Sequence, residues 1–211
     1  GGEVLVQVTG RGPKPAQAAA VCTPVLRRAV ELLGDAAYGL DVESLQAAVV
    51  DKLQKKNLGL AIAESGSGGM LTRVLSETPN GAKTLRYTVA VDTDRAKWEK
   101  LGISYRMVKK HGGCSEQAAV FLADAARKKS EAEIGVALTV GQGYDRKNPL
   151  GLVYIAVCDS GSVYVKKLIV GDGYPEEKDL VLDAALSRAL NMIRLFVDYL
   201  PGQYMGSIPL K

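Results

Sequence analysis

The chain has 211 residues, with 27 basic against 23 acidic side chains and a formal charge of +4. So small an excess argues against an electrostatic nucleic-acid binder, and 47% hydrophobic with 24% charged residues excludes disorder as the main state. One histidine, His111, and three widely spaced cysteines, Cys22, Cys114 and Cys158, exclude a multi-histidine metal site, a CxxC zinc site and a disulfide framework. No apolar run reaches the ~18–20 residues of a membrane span, and no signal peptide opens the chain. A soluble, cytoplasmic protein is expected, with no membrane or nucleic-acid partner, no cofactor and no metal. The opening Gly1-Gly2, without methionine, reads as the start of a piece of something longer.

Val4, Val6 and Val8 alternate as in a short strand, closed by Gly10 to Pro13. An alanine-rich helix is expected from Pro15 to Leu33, cut or kinked at Pro24. Residues 1–40 are too few for a core of their own and read as a small N-terminal α+β linker module. Asp41 is placed to cap a helix over Val42–Lys56, whose Leu45, Val49 and Leu53 share a face. The continuously apolar Leu58–Ala63 predicts a buried strand, followed by a glycine turn and a helix to Ser76. Leu85–Val91 reads as a strand, Thr93–Leu101 as a helix stopped by Gly102, and Ser115 as the cap of a helix to Lys129. Ile134–Thr139 is a third strand. Leu152–Val157 and Ser162–Val170 form a hairpin through Asp159-Ser160-Gly161, and a helix over Glu176–Leu200 ends at Pro201. The order implies an α/β fold over 41–211, a mixed sheet sandwiched by helices, with ligands expected at the carboxyl ends of its parallel strands.

Three strand ends carry candidate chemistry. After the first comes Ala63-Glu64-Ser65-Gly66-Ser67-Gly68-Gly69, where glycines let the backbone approach a ligand and free N–H groups at a helix start can hold a phosphate or an oxyanion. Ser65 is a possible nucleophile there, or else Ser65 or Ser67 simply caps the helix. After the second comes Asp92-Thr93-Asp94-Arg95-Ala96-Lys97, whose lysine would serve as a base if burial lowered its pKa. After the third comes Thr139-Val140-Gly141-Gln142-Gly143, a glycine loop with no function required of it.

Together these segments resemble the C-terminal domain of the CinA (competence/damage-inducible) family. The family's AESCTGG motif matches Ala63 to Gly69, and YSNEAK matches Asp92 to Lys97 without a gap. GAVSEE resembles Gly112 to Gln117, and TGIAGPGG leading to PVGTVYIA resembles Thr139 to Gly143 and Pro149 to Ala156. The resemblance implies a nicotinamide mononucleotide amidohydrolase of NAD salvage: Ser65 as nucleophile, Lys97 as base, and Thr139 holding the lysine or the reacting group. It also implies substrate contacts at Gly66, Ser67, Gly68, Gly69, Gly141, Gly143 and Lys178, nicotinamide mononucleotide or a related nucleotide as ligand, and a homo-oligomer. Residues 1–40 look like the family's KH-like linker, which in full-length members follows a pyrophosphatase domain absent from this chain.

Several positions depart from the pattern. Gly66 and Ser67 replace the motif's cysteine and threonine, Asp92 its tyrosine, and Val140 a glycine. An arginine-rich GDR-type segment is replaced by Gly171 to Pro175, with Lys178 as the nearest cation. The alternative implied is a catalytically degenerate domain serving as an oligomerisation or nucleotide-binding module, with Leu186 to Leu200 as an apolar surface.

Overall fold

In the computed structural model, residues 3–143 and 146–199 and the backbone of 208–209 are described. Six strands form one mixed sheet in the order β2-β1-β3-β4-β5-β6: β1 Leu60–Ser65, β2 Leu85–Ala90, β3 Ile134–Val140, β4 Leu152–Cys158, β5 Ser162–Ile169 and β6 Ile208–Pro209. β1 runs parallel to both β2 and β3, and pairing is antiparallel from β3 onward. The sheet is the mixed α/β sheet expected. Every residue of β1 and of β3 is buried, as helices on both faces require, whereas the edge strand β2 alternates half-buried with exposed.

The two faces are built from different residues. Leu60 and Ile62, with Ile134, Val136 and Leu138, meet α2 (Leu45–Lys55), α3 (Met70–Glu77) and α8 (Lys178–Asp198) in a large-side-chain core. Ala61, Ala63 and Ala137 face α7 (Glu116–Ser130), together with residues of α5 (Asp94–Leu101) and α6 (Tyr105–His111). Small residues on this side bring backbones together: a Cβ on Gly135 would collide with the carbonyl oxygen of Ala123 on α7. The pleat carries this division to the strand ends. Glu64 continues the Leu60/Ile62 face, beneath α3, while Ser65 continues the Ala61/Ala63 face, toward α5 and α7. Thr139 lies opposite Ser65 in register, on that same face.

Several local expectations change. Val4 to Val8 forms no strand: it has no sheet partner among the described residues, and a strand requires one for its backbone groups. Pro24 does not divide the first helix, α1, which runs from Pro15 to Leu33. The Ala20 carbonyl deprived of a donor lies on a helix with no buried residue, where it is open to solvent. Ser44, not Asp41, caps α2, its hydroxyl accepting from the Ala47 N–H at 3.3 Å. The short helices α4 (Gly81–Thr84) and α6 were not expected. The hairpin is present, with the Asp159 carboxylate accepting from the N–H groups of Gly161 and Ser162 at 2.8 and 2.7 Å. The expected stop at Pro201 lies outside the described residues. Much of the apolar stripe of α8 lies in the core, where Ala185, Ala189, Leu190, Ile193, Phe196 and Val197 are buried; Leu200 lies outside the described residues.

Candidate active site

The glycine turn after β1 is organised by Glu64. Its buried carboxylate accepts from the Ser67 hydroxyl at 2.6 Å and from the N–H groups of Leu71 and Thr72 at 3.1 and 2.8 Å. These bonds satisfy orphan donors in the first turn of α3. The helix start expected to be open to a phosphate or oxyanion therefore already holds a carboxylate, and Ser67 serves it. Ser65 does not cap the helix. Its hydroxyl forms no hydrogen bond among the described residues, although the residue is only 7% exposed. The hydroxyl oxygen itself is not among the fully buried, unpartnered side-chain atoms, so it opens on solvent and is available to a substrate.

Lys97 lies on α5, which begins under the Thr93 cap and ends at Gly102. Its side chain is turned inward, and the residue is 2% exposed. A loose contact of 3.7 Å from Nζ to Asp94 Oδ1 is its one ion pair among the described residues. Burial is the largest influence on the amine and holds its pKa below the ordinary 10.5; Asp94, then Asp92, then Cys114 oppose the shift. An acidic neighbour at position 92 would by itself favour the ammonium, the wrong direction for a base, and here desolvation outweighs it. Gly113 borders the amine: a Cβ there would lie 3.3 Å from Lys97 Nζ.

Thr139 is fully buried. Its single hydroxyl proton is spent on the Tyr154 carbonyl at 3.2 Å or the Cys114 sulfur at 3.6 Å, so toward any further group it can only accept. Cys114 in turn faces the carbonyls of Thr139 and Leu152 at 3.5 and 3.4 Å, and burial pushes its thiol pKa up, keeping it protonated. Strand register thus places Thr139 across from Ser65, while Cys114 lies against Thr139.

Gly66 is held on both sides, through its N–H and through its carbonyl. Asp92 Oδ1 accepts from the Gly66 N–H at 2.7 Å, and Gln142 Nε2 donates to the Gly66 carbonyl at 2.8 Å. Gly66 sits at φ +79°, and a Cβ there would collide with the Val140 carbonyl oxygen and the Gln142 amide. Gln142 thus fills space that a side chain at position 66 would claim. The N–H groups of Gly141 and Gly143 are taken within their own loop, by Leu152 at 2.7 Å and Asn148 at 2.8 Å. Those of Gly68 and Gly69 have no partner among the described residues. Lys178 is exposed at the first turn of α8, with no hydrogen bond or ion pair to Ser65, Lys97 or Thr139. No cluster of three His, Cys, Asp or Glu side chains suited to a metal occurs among the described residues, and no helix among them is long and apolar enough to cross a membrane.

A profile described as the CinA C-terminal domain matches residues 42–197. The chain belongs to the CinA family. A CinA-like protein of Desulfovibrio desulfuricans is 32% identical over 203 residues, covering 94% of this chain and 47% of that protein. A CinA-like protein of Kosmotoga olearia is 30% identical over 196 residues, covering 92% and 47%. The chain therefore spans about half the length of the curated relatives it matches. The crystal structure of a competence/damage inducible protein from Agrobacterium tumefaciens superposes with a TM-score of 0.67 at 25% identity, over 77% of this chain and 98% of the other. Within this CinA domain, Ser65, Lys97 and Thr139 were reached through motif resemblance. The clamp by Gln142 and the capping by Glu64 were not. A glutamate closing an otherwise apolar strand was the available signal for the second, because a buried carboxylate must find donors. Nothing in the spacing signals the first.

Proposed function

We propose that the CinA domain deamidates nicotinamide mononucleotide, giving nicotinic acid mononucleotide and ammonia through a serine–lysine pair. The observation that carries the reading is a buried lysine whose amine is biased toward the neutral form, on the sheet face that also bears an uncommitted serine hydroxyl. Family resemblance supplies the substrate. Ser65 Oγ attacks the carboxamide carbon as its proton passes to the Lys97 amine. The Lys97 ammonium then gives that proton to the departing nitrogen, and ammonia leaves an acyl-Ser65. Water, deprotonated by Lys97, cleaves the ester to the acid and restores the serine. Thr139, limited to accepting, suits the ammonium form of Lys97.

Ammonia release from the mononucleotide tests the reading. Ser65→Ala, Lys97→Met and the double variant should each fall by at least about 10³-fold, to a common floor, because residues acting as a unit are non-additive. Near-normal turnover in Lys97→Met would overturn the pairing.

One observation favours assembly as a second role. Val4, Leu5, Val6, Val21, Val25, Leu32 and Leu33 are all exposed, an unusual apolar load for residues 3–40. A homo-oligomer that covers them should appear in sedimentation, and a concentration-independent monomer would remove this role.

A further inference from the structure

Among serine acyl-transfer sites, the backbone N–H of the residue after the nucleophile is a common donor to the tetrahedral oxyanion. In this chain that donor is Gly66, and it is engaged by Asp92 at 2.7 Å. The contact is built into the sheet. The Val91 N–H bonds to the Glu64 carbonyl at 2.8 Å, continuing the β1–β2 pairing one step past the strand end and delivering Asp92 beside Gly66. Gln142 holds the next peptide, Gly66–Ser67, through the Gly66 carbonyl, so the residue that carries this N–H is anchored on both sides. Asp92 is exposed, at the mouth of the site, and its charge reaches the Lys97 amine within. The protein's own carboxylate therefore accepts from an amide donor and adds its charge to the field at a lysine, the surroundings a carboxylate product or an oxyanion would seek.

We propose that Asp92 is a specificity-determining residue, whose carboxylate occupies the Gly66 N–H and must be displaced before a substrate carbonyl or an anion can use that donor. The inference rests on reading Ser65 as the nucleophile. A neutral carboxamide meets no like charge on entry, but a carboxylate arriving at the same N–H does. The acid product is thus held weakly, and anions in general are turned away at this point. Because the carboxylate is on an exposed side chain, its displacement needs only a rotamer change.

The test follows the Gly66 backbone amide by NMR while formate is titrated into the wild-type chain, Asp92→Asn and Asp92→Ala. In Asp92→Ala the amide should respond at a formate concentration about tenfold or more below that needed in the wild type, with Asp92→Asn between them. Equal response in wild type and Asp92→Ala overturns the proposal. If Asp92→Ala fails to fold, the neutral Asp92→Asn, which keeps an acceptor for Gly66, carries the same comparison. Ammonia release is measured on the same samples to separate the two claims. A formate response that sharpens as expected, with no ammonia from any variant, keeps the Asp92 role and removes the amidase. Ammonia released by the wild type with no difference in formate response does the reverse.

Discussion

Two alanine-rich helices in this chain meet opposite fates. α1 has 19 residues and buries none of them, its entry residue Lys14 providing no side-chain cap. α7 has 15, buries Ala118, Ala119, Leu122, Ala123 and Ala126, and starts under the Ser115 hydroxyl, which accepts from Ala118 N–H at 3.2 Å. Composition does not separate them; what lies opposite does. α7 meets a sheet face made of Ala61, Ala63, Gly135 and Ala137, where backbones approach closely, and α1 meets no such face among the described residues. An alanine helix becomes part of a core only when its partner is equally small, since alanine alone buries little area. The candidate active site lies on the α7 side of the sheet, so its geometry inherits that close packing.

The contrast is open to attack by substitution. Leu122→Ala in α7 should cost about 3 kcal/mol in denaturant unfolding, as other fully buried leucines do; a loss below about 1 kcal/mol would show that the helix is only loosely seated. Lys97→Met should stabilise the fold by about 1–2 kcal/mol at neutral pH, because it removes a buried amine whose loose partner, Asp94, stays exposed. The sign follows from the direction of the shift. A lysine with a lowered folded pKa binds fewer protons folded than unfolded, so wild-type stability rises with pH and the gap to Lys97→Met narrows toward 10.5. Unfolding curves at several pH values check this, and a gap that is constant or widens contradicts it. Ser115→Ala should cost about 1 kcal/mol through loss of the cap. Smallest of all, Val25→Ala in α1 should stay within about 0.5 kcal/mol at concentrations where the chain is monomeric, since Val25 is exposed in the single chain; a larger loss there would mean that α1 packs against the rest of its own chain.

Legibility in the sequence followed burial. β1, β2 and β3, the hairpin and α7 were readable because each apolar pattern answers a real core face. Val4 to Val8 shows the same alternation with nothing to pair against, and α6 was invisible because it buries only Val108 and so has no periodic stripe. Pro24 leaves one carbonyl without a donor, a loss that an exposed helix tolerates better than a buried one. At the site, Ser65, Lys97 and Thr139 fall within motifs, so resemblance found them. Gln142 and the Asp92–Gly66 contact act through backbone groups that crossover connections bring together, 76 residues apart in the case of Gln142 and Gly66. Such contacts leave no spacing to read.

The central claim is that burial makes Lys97 a base. Its amine can be observed directly, by NMR titration of the side chain in a lysine-labelled sample, with Lys97→Met to assign the signal. The account predicts a midpoint clearly below 10.5 that moves lower still in Asp92→Asn, because that variant removes one of the charges favouring the ammonium. A midpoint at or above 10.5 would contradict it, leaving Ser65 without a base.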